Sequence, residues 1–367
     1  RGRAVAARVA HNHKVAGSSP APATTIILTP FWELFFIYCY YGFMQIQINE
    51  LKTKIISLLE KSFPHDEAEM ITDYLLWAEM TGNKTQGLLK MTGTEPLQNI
   101  KPTSEIKTLR DKKLSRLIDA GANPAPYVSQ IATDAVIQKA KEHGFGIVGV
   151  NNIHSSNGAQ GYYAERIADE NLIGIVLARS SAAAAAFGGK EPIFGTNPIA
   201  FSFPTNNEPL VFDMATTAMT WYGLVLAKAK GEQIPTNMAI DKNGNPTTDP
   251  VEAMNGALLS FDRSYKGSGL AMVVETLGGP LVGASYGQIE GDWGSLFIAI
   301  DPDLLIDIDI FKSNTSDLIH KIKTAQPLHH DGVIRIPGES SSQSLETCKA
   351  TGVVDVEESI LKELGII

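Results

Sequence analysis

The sequence predicts a mixed α/β or α+β fold, and three observations lead there. Helical and strand-like stretches are interspersed along the 367 residues without an internal repeat and without the regular βαβ period of a doubly wound sheet. From Met44 the chain opens with two amphipathic helices before any strand. Finally, "GFGIVG", Gly144 to Gly149, has the G-x-G-x-x-G spacing of a dinucleotide loop in the wrong setting. A Rossmann loop needs a strand before its glycines and a helix opening at the third, so that helix amides meet the pyrophosphate. Here a helix precedes and a strand follows, so the glycines are read as a helix stop and a tightly packed strand.

Taken in order, "NELKTKIISLLEKSF" turns Leu51, Ile55, Leu58 and Leu59 inward. "PHDEAEMITDYLLWAEMTG" places Asp66 and Glu67 in a first helical turn, where carboxylates suit the helix dipole, and Gly82 just past its end. After a polar link, "KLSRLIDAG" reads as a strand. A helix over Ile131–His143 has Ile131, Ala135 and Ala140 on one face, with Gly144 as its C-cap glycine. "FGIVGV" is a short buried strand, "GAQGYYAERIADEN" a helix, and "LIGIVLA", "IAFSFP" and "PLVFDMA" are strands. "TTAMTWYGLVLAKAKG" is a helix with Thr216 near its cap and Gly231 at its end. "DKNGNPTTDP" is a turn. "KGSGLAMVVETLGG" is a helix, "LFIAIDP" a buried strand, "NTSDLIHKIKTAQ" a helix, "GVIRIPGE" the final strand and "VEESILKELGI" a terminal helix.

Composition bounds the function. The chain is 44% hydrophobic and 19% charged, as expected of a soluble globular protein. A net charge of −9 and no basic stripe argue against nucleic-acid binding. Cys39 and Cys348 are too few for a disulfide framework, so a reducing, cytoplasmic setting is expected. No metal site is expected, since the eight histidines include no H-x-x-x-H pair and His329–His330 lies in a polar connector. Residues 1–43 differ from the rest: a basic, small-residue stretch precedes "IILTPFWELFFIYCYYGFM". A signal anchor is one reading, because about 20 apolar residues span a bilayer. The preferred reading is an extension that does not belong to the protein, "VAGSSPAPATT" resembling a translated tRNA gene, with the native start at Met44. No membrane partner is expected.

Three stretches carry candidate chemistry. "NNIHSSNGAQGYY" is a polar segment after a buried strand, where sites often form. Its His154 is either a proton-transfer group suited to neutral pH or a surface histidine satisfied by Ser155 and Ser156. "ARSSAAAAAFGGKEPIFGTNP" offers Ser180 and Ser181 beside small residues, with Gly188, Gly189 and Gly195 freeing the backbone. It is either a close-approach ligand wall or a flexible loop. In "FDRSYKGSGL", Lys266 opens a helix, against the dipole. A bound phosphate would justify it, the alternative being a solvated lysine.

With those residues named, "GYYAERIADENLIGIVLARS", "FGGKEPIFGTNPIAFSFP", "PLVFDMATT", "NGNPTTDP", "YKGSGLAMVVE" and "IPGE" resemble the malate/L-lactate dehydrogenase family, from about Asn49 to Glu339. The resemblance implies a homodimer whose helical domain comes from both chain ends, 44–118 with 325–367 returning to it. It implies an α/β domain, 119–324, that binds NAD or NADP without a Rossmann loop. The implied reaction moves a hydride between the nicotinamide and C2 of a 2-oxo acid or related imine. The resemblance puts Ser180, Asp213, Met214, Ala215 and Lys266 on the family's cofactor-contacting positions, and with them makes Gly188 and Gly189 of the alanine-rich loop candidate cofactor-binding residues.

The catalytic positions depart from the pattern. Where the family carries G-x-H-S-H-G-x-x-R, this chain has "GNKTQGLLK", so Lys84 and Gln86 stand for the histidines and Lys90 for the arginine. The family's acid/base histidine falls on Ser156, with His154 two residues earlier. The expected enzyme therefore uses His154 as acid/base, Lys90 for the substrate's anionic group and Lys84 as a fallback acid. The alternative is a cofactor-binding protein, a sensor or structural partner, that has lost the dehydrogenase chemistry.

Overall fold

A computed structural model describes residues 42–92, 96–289, 291–329 and 332–367. Strand β1 (Phe43–Gln47) leads into α1 (Ile48–Leu59), whose Leu51, Ile55 and Leu59 recur every four residues and are fully buried. The next helix, α2 (His65–Met80), has its two carboxylates in the first turn and buries Ile71, Tyr74, Leu75 and Ala78. Both N-terminal helices are thus as expected. The reading of residues 1–43 falls almost wholly outside the described residues, although Phe43 lies in β1.

The polar link contains a strand that the sequence reading omitted. β2 (Lys107–Asp111) pairs antiparallel with the anticipated β3 (Ser115–Asp119). All five β2 residues are exposed, so no alternation of apolar side chains marks it. Helix α3 (Ala125–His143) starts at Ala125 rather than Ile131, with Pro126 in its first turn. Gly144 ends it at φ +78, donating its N–H to Ala140 O at 2.6 Å. β4 (Phe145–Ile153) then carries "GFGIVG" into the sheet. A Cβ on Gly146 would lie 2.5 Å from Val136 O, and one on Gly149 2.8 Å from Val282 Cγ1. These glycines serve close packing, as the sequence reading has it.

The chain continues through α4 (Gln160–Asp169), β5 (Ile173–Arg179), β6 (Ala184–Ala185), β7 (Pro192–Phe194), β8 (Ile199–Phe203) and β9 (Leu210–Met214). After α5 (Trp221–Lys230) come β10 (Ala239–Ile240), β11 (Pro246–Thr247), α6 (Pro250–Asn255), β12 (Ala257–Leu258), α7 (Tyr265–Gly278) and β13 (Trp293–Ile300). The chain closes with α8 (Ile308–Lys323), α9 (Glu339–Thr351), β14 (Val353–Glu357) and α10 (Glu358–Glu363). The seven-stranded sheet has the order β2-β3-β4-β13-β5-β8-β9. In it β3 and β4 run parallel and the other neighbours antiparallel. This is a mixed α/β fold without a doubly wound sheet. One core joins the sheet to α1–α4, and a second packs α7 and the Pro280–Val282 turn on the sheet through Leu177, Val274, Val282 and Leu296. β1 pairs with β14, so the two ends of the described chain meet.

Two expectations need correction. "GVIRIPGE" is not a strand: residues 332–336 form no ladder and Val333 is 76% exposed, so its apolar residues have no sheet to join. The last strand is β14, paired with β1. The α5 cap is Thr220, whose hydroxyl accepts the Gly223 N–H at 3.1 Å. Thr216 is instead buried and bonded to Thr196 O. No helix among the described residues is long and apolar enough to cross a membrane.

Candidate active site

A cavity of about 740 Å³ opens where the ends of β4, β5 and β9 meet the start of α5 and the turns that follow α2. Its walls gather Lys90, His154, Ser156, Ser180, Asp213, Met214 and Ala215, residues spread over 126 positions (90 to 215, counted inclusively).

Lys90 sits in a 3₁₀ turn, Leu88–Met91, and is only 4% exposed. Its Nζ donates to Ser156 Oγ at 3.0 Å and lies 3.5 Å from the centre of the Tyr222 ring. The two positions where the resemblance implies an arginine and a histidine are therefore in contact, as lysine and serine. The turn holds its shape through Glu79, a buried carboxylate that accepts the Leu88 N–H at 2.7 Å and pairs with Lys84 Nζ at 3.1 Å. Burial pushes the Glu79 carboxyl up, and Lys84 opposes that shift. A Cβ on Gly87 would fall 2.3 Å from Glu79 Oε1, which explains the glycine beside the site.

The loop after β4 is pinned from behind. Ser155 Oγ accepts the Ala125 N–H at 3.0 Å, and Asn157 Nδ2 donates to Ser129 Oγ at 2.7 Å. The Tyr74 hydroxyl accepts the Ala159 N–H at 2.8 Å. His154 projects from this loop and is exposed, its Nε2 3.0 Å from Asn152 Oδ1. Asp213 Oδ2 accepts the Gly161 N–H at 2.8 Å, at the start of α4. The Asp213 side chain opens onto the cavity, where the residue is solvent-exposed, with the cavity walls around its carboxyl. Desolvation by those walls raises its carboxyl from 3.8 to about 6, against the pull of the Gly161 and Gln160 amides.

Four expected site residues lie elsewhere. Lys84 is absent from the cavity lining, its Nζ engaged by Glu79 and by the carbonyl of Asp355 in β14, so the structure gives it a tethering place rather than the fallback acid position. Gly188, Gly189 and Lys266 are also absent from that lining. Phe187 N–H donates to Ser268 Oγ at 3.0 Å, which brings the glycine loop to the first turn of α7 near Lys266. At the helix end where a phosphate and a solvated lysine were the two readings of Lys266, the backbone amides have partners within the chain. The Lys266 N–H goes to Ser264 Oγ, and the Gly267 N–H to the Asp262 carboxylate, each at 3.1 Å, so an internal acid already takes that end.

Two cavity residues escaped the sequence reading. Arg179, 1% exposed, donates from Nε to Glu275 Oε1 and from its terminal nitrogens to Asp292 O and Gly287 O, all at 3.1 Å. Glu275 also accepts from Asn197 Nδ2 at 2.8 Å. An arginine closing the apolar run "LIGIVLAR" is the signal that marks it. Gln160 is the other: it is 1% exposed and its Oε1 has no hydrogen-bond partner.

The family known as Malate/L-lactate dehydrogenase matches residues 46–365. The chain belongs to the malate/L-lactate dehydrogenase family. It is 34% identical over 334 residues to the L-sulfolactate dehydrogenase of Methanothermobacter thermautotrophicus, covering 86% of this chain and 95% of that one. Over 262 residues it is 32% identical to the Δ1-pyrroline-2-carboxylate/Δ1-piperideine-2-carboxylate reductase of Pseudomonas putida, covering 67% and 74%. The solved malate dehydrogenase of Pyrococcus horikoshii OT3 superposes with a TM-score of 0.79 at 27% identity, covering 89% of this chain and 95% of that structure. These relatives are dehydrogenases and reductases, and the resemblance read from the motifs holds.

Proposed function

We propose that this family member is an NAD(P)-dependent oxidoreductase acting between a 2-oxo and a 2-hydroxy acid, or on a related imine, with a rewritten substrate end. The observation that carries the reading is the gathering of Lys90, Ser156 and His154 in one cavity with Ser180, Asp213, Met214 and Ala215. The nicotinamide end fits the residues present. Ala178, Ala182, Ala183 and Ala215 leave the wall low enough for a flat ring, and Ser180 is a hydroxyl residue on the same lining. The chemistry supplied by a bound cofactor is a hydride at C2 of the acid, the carbonyl being reduced and the nicotinamide oxidised.

The chain's own residues do the rest. Lys90 draws the acid group into the cavity as a point charge, without the two-pronged grip of an arginine. Ser156, held on Lys90, fixes that ammonium in place. His154 gives the carbonyl oxygen its proton and takes it back in the reverse direction. The test follows nicotinamide oxidation across 2-oxo acids and cyclic imines and measures cofactor binding separately. Turnover on at least one class, reduced at least about 100-fold in His154→Ala, supports the reading. An unimpaired His154→Ala removes the histidine from it. The exposed His154 and the serine at position 156 favour a second reading, a cofactor-binding sensor, which binding without any turnover would establish.

A further inference from the structure

We infer that the acid taken by this cavity carries a single negative group and an uncharged, largely apolar tail, unlike the dianions named by the malate and sulfolactate dehydrogenases it resembles. The inference rests on the reading that the cavity binds a 2-oxo acid or imine, and it concerns what lies beyond the group that Lys90 holds.

The surroundings of Lys90 follow from its contacts. The Tyr222 ring lies 3.5 Å from Nζ, which places the first turn of α5 against the lysine. That helix also turns Trp221 and Val225, one turn apart, onto the cavity. On the other side, Gln98 Nε2 donates to Met91 O at 2.6 Å, tying the 3₁₀ turn Leu97–Asn99 to the turn of Lys90 and bringing Leu97 to the same wall. A substrate anchored at Lys90 therefore extends its tail among Leu97, Trp221, Tyr222 and Val225.

Charge decides what that tail can be. Among the described lining residues the cations are Lys90, His154 and Arg179. The Arg179 donors are spent on Glu275, Asp292 O and Gly287 O. His154 is the proton donor of the proposed reaction. Asp213, the acid on the lining, repels a second anion. A second carboxylate or a sulfonate would thus meet indole and aliphatic groups, with uncharged Gln86 and Asn99 as the polar neighbours on the lining and no unspent counter-charge, which disfavours it. An alkyl or aryl tail meets the same wall favourably.

The test compares 2-oxohexanoate and phenylpyruvate with oxaloacetate, 2-oxoglutarate and 3-sulfopyruvate on the full chain. Nicotinamide oxidation gives kcat/KM, and quenching of the cavity tryptophans, Trp221 and Trp293, gives Kd whether or not an acid is turned over. The uncharged-tail acids are expected to win by at least about tenfold in either readout. Val225→Arg, which adds a cation to the tail wall, is expected to narrow or invert that ratio. A wild-type ratio near one, or in favour of the dianions, overturns the inference. If no acid is turned over while the monoanions still bind more tightly, the oxidoreductase reading fails and the tail assignment stands.

Discussion

At the scale of single residues, Gly158 has the least freedom to change. Its φ of +80° suits glycine, and an added Cβ would fall 1.6 Å from the Tyr74 hydroxyl. That hydroxyl holds the Ala159 N–H and with it the start of α4. Gly158→Ala is expected to cost about 2–4 kcal/mol, read by denaturant unfolding, and to weaken the site together with the fold. Asp213 and Glu165 set a pH dependence. Desolvation raises Asp213 to about 6 and Glu165 to about 7, the latter also through the nearby Asp169. A carboxyl whose pKa is raised on folding holds its proton more tightly in the folded state. Its contribution to stability is full below the unfolded value, near 4, and is lost as pH rises through 6 and 7. Melting temperature followed from pH 4 to pH 8 should therefore show a decline that is smaller in Asp213→Asn and in Glu165→Gln. A decline of the same size in both variants would remove these groups as its source.

Among the elements, legibility followed from how each segment is held. Helices α1, α2 and α7 are readable from their own apolar spacing, to which α7 adds the Ser264 cap. Gly144 and Gly231 both stop helices with positive φ, as their positions suggested. β2 was not readable, since its fully exposed residues join the sheet through pairing with β3 alone. Helix α9 was not either: "ESSSQSLETCKAT" is rich in weak helix formers and buries Leu345 as its one fully enclosed side chain. The site shows the same division. The family pattern points to Lys90 and the polar loop after a buried strand points to His154, whereas the Lys90–Ser156–Tyr222 contact joins three elements distant in sequence. The place of Lys84 is not legible, because the sequence does not reveal that Glu79 and the Asp355 carbonyl take its ammonium. Breaking this tether with Glu79→Ala leaves the Leu88 N–H without its acceptor and Lys84 without its buried partner. The expected cost is about 3 kcal/mol, visible as a lowered melting temperature and a raised KM.

At the scale of the whole molecule, the exposed face of α7 shows Tyr265, Met272 and Val273 at 66%, 62% and 49% exposure. We propose that a second copy covers this face in a homodimer, since apolar groups grouped on one helix face are costly to leave in water. Sedimentation should give twice the chain mass, falling to one chain mass in Met272→Glu. A monomeric wild type would refute the assignment. In the cavity, the proposed reaction requires an acid bound through Lys90 and reduced there. Its most direct test is kcat/KM of wild type and Lys90→Met for the best 2-oxo acid, with unfolding checked alongside. The expected result is a fall of at least about 100-fold carried mainly by KM, with the variant still folded. A folded Lys90→Met protein with unchanged kcat/KM would contradict it.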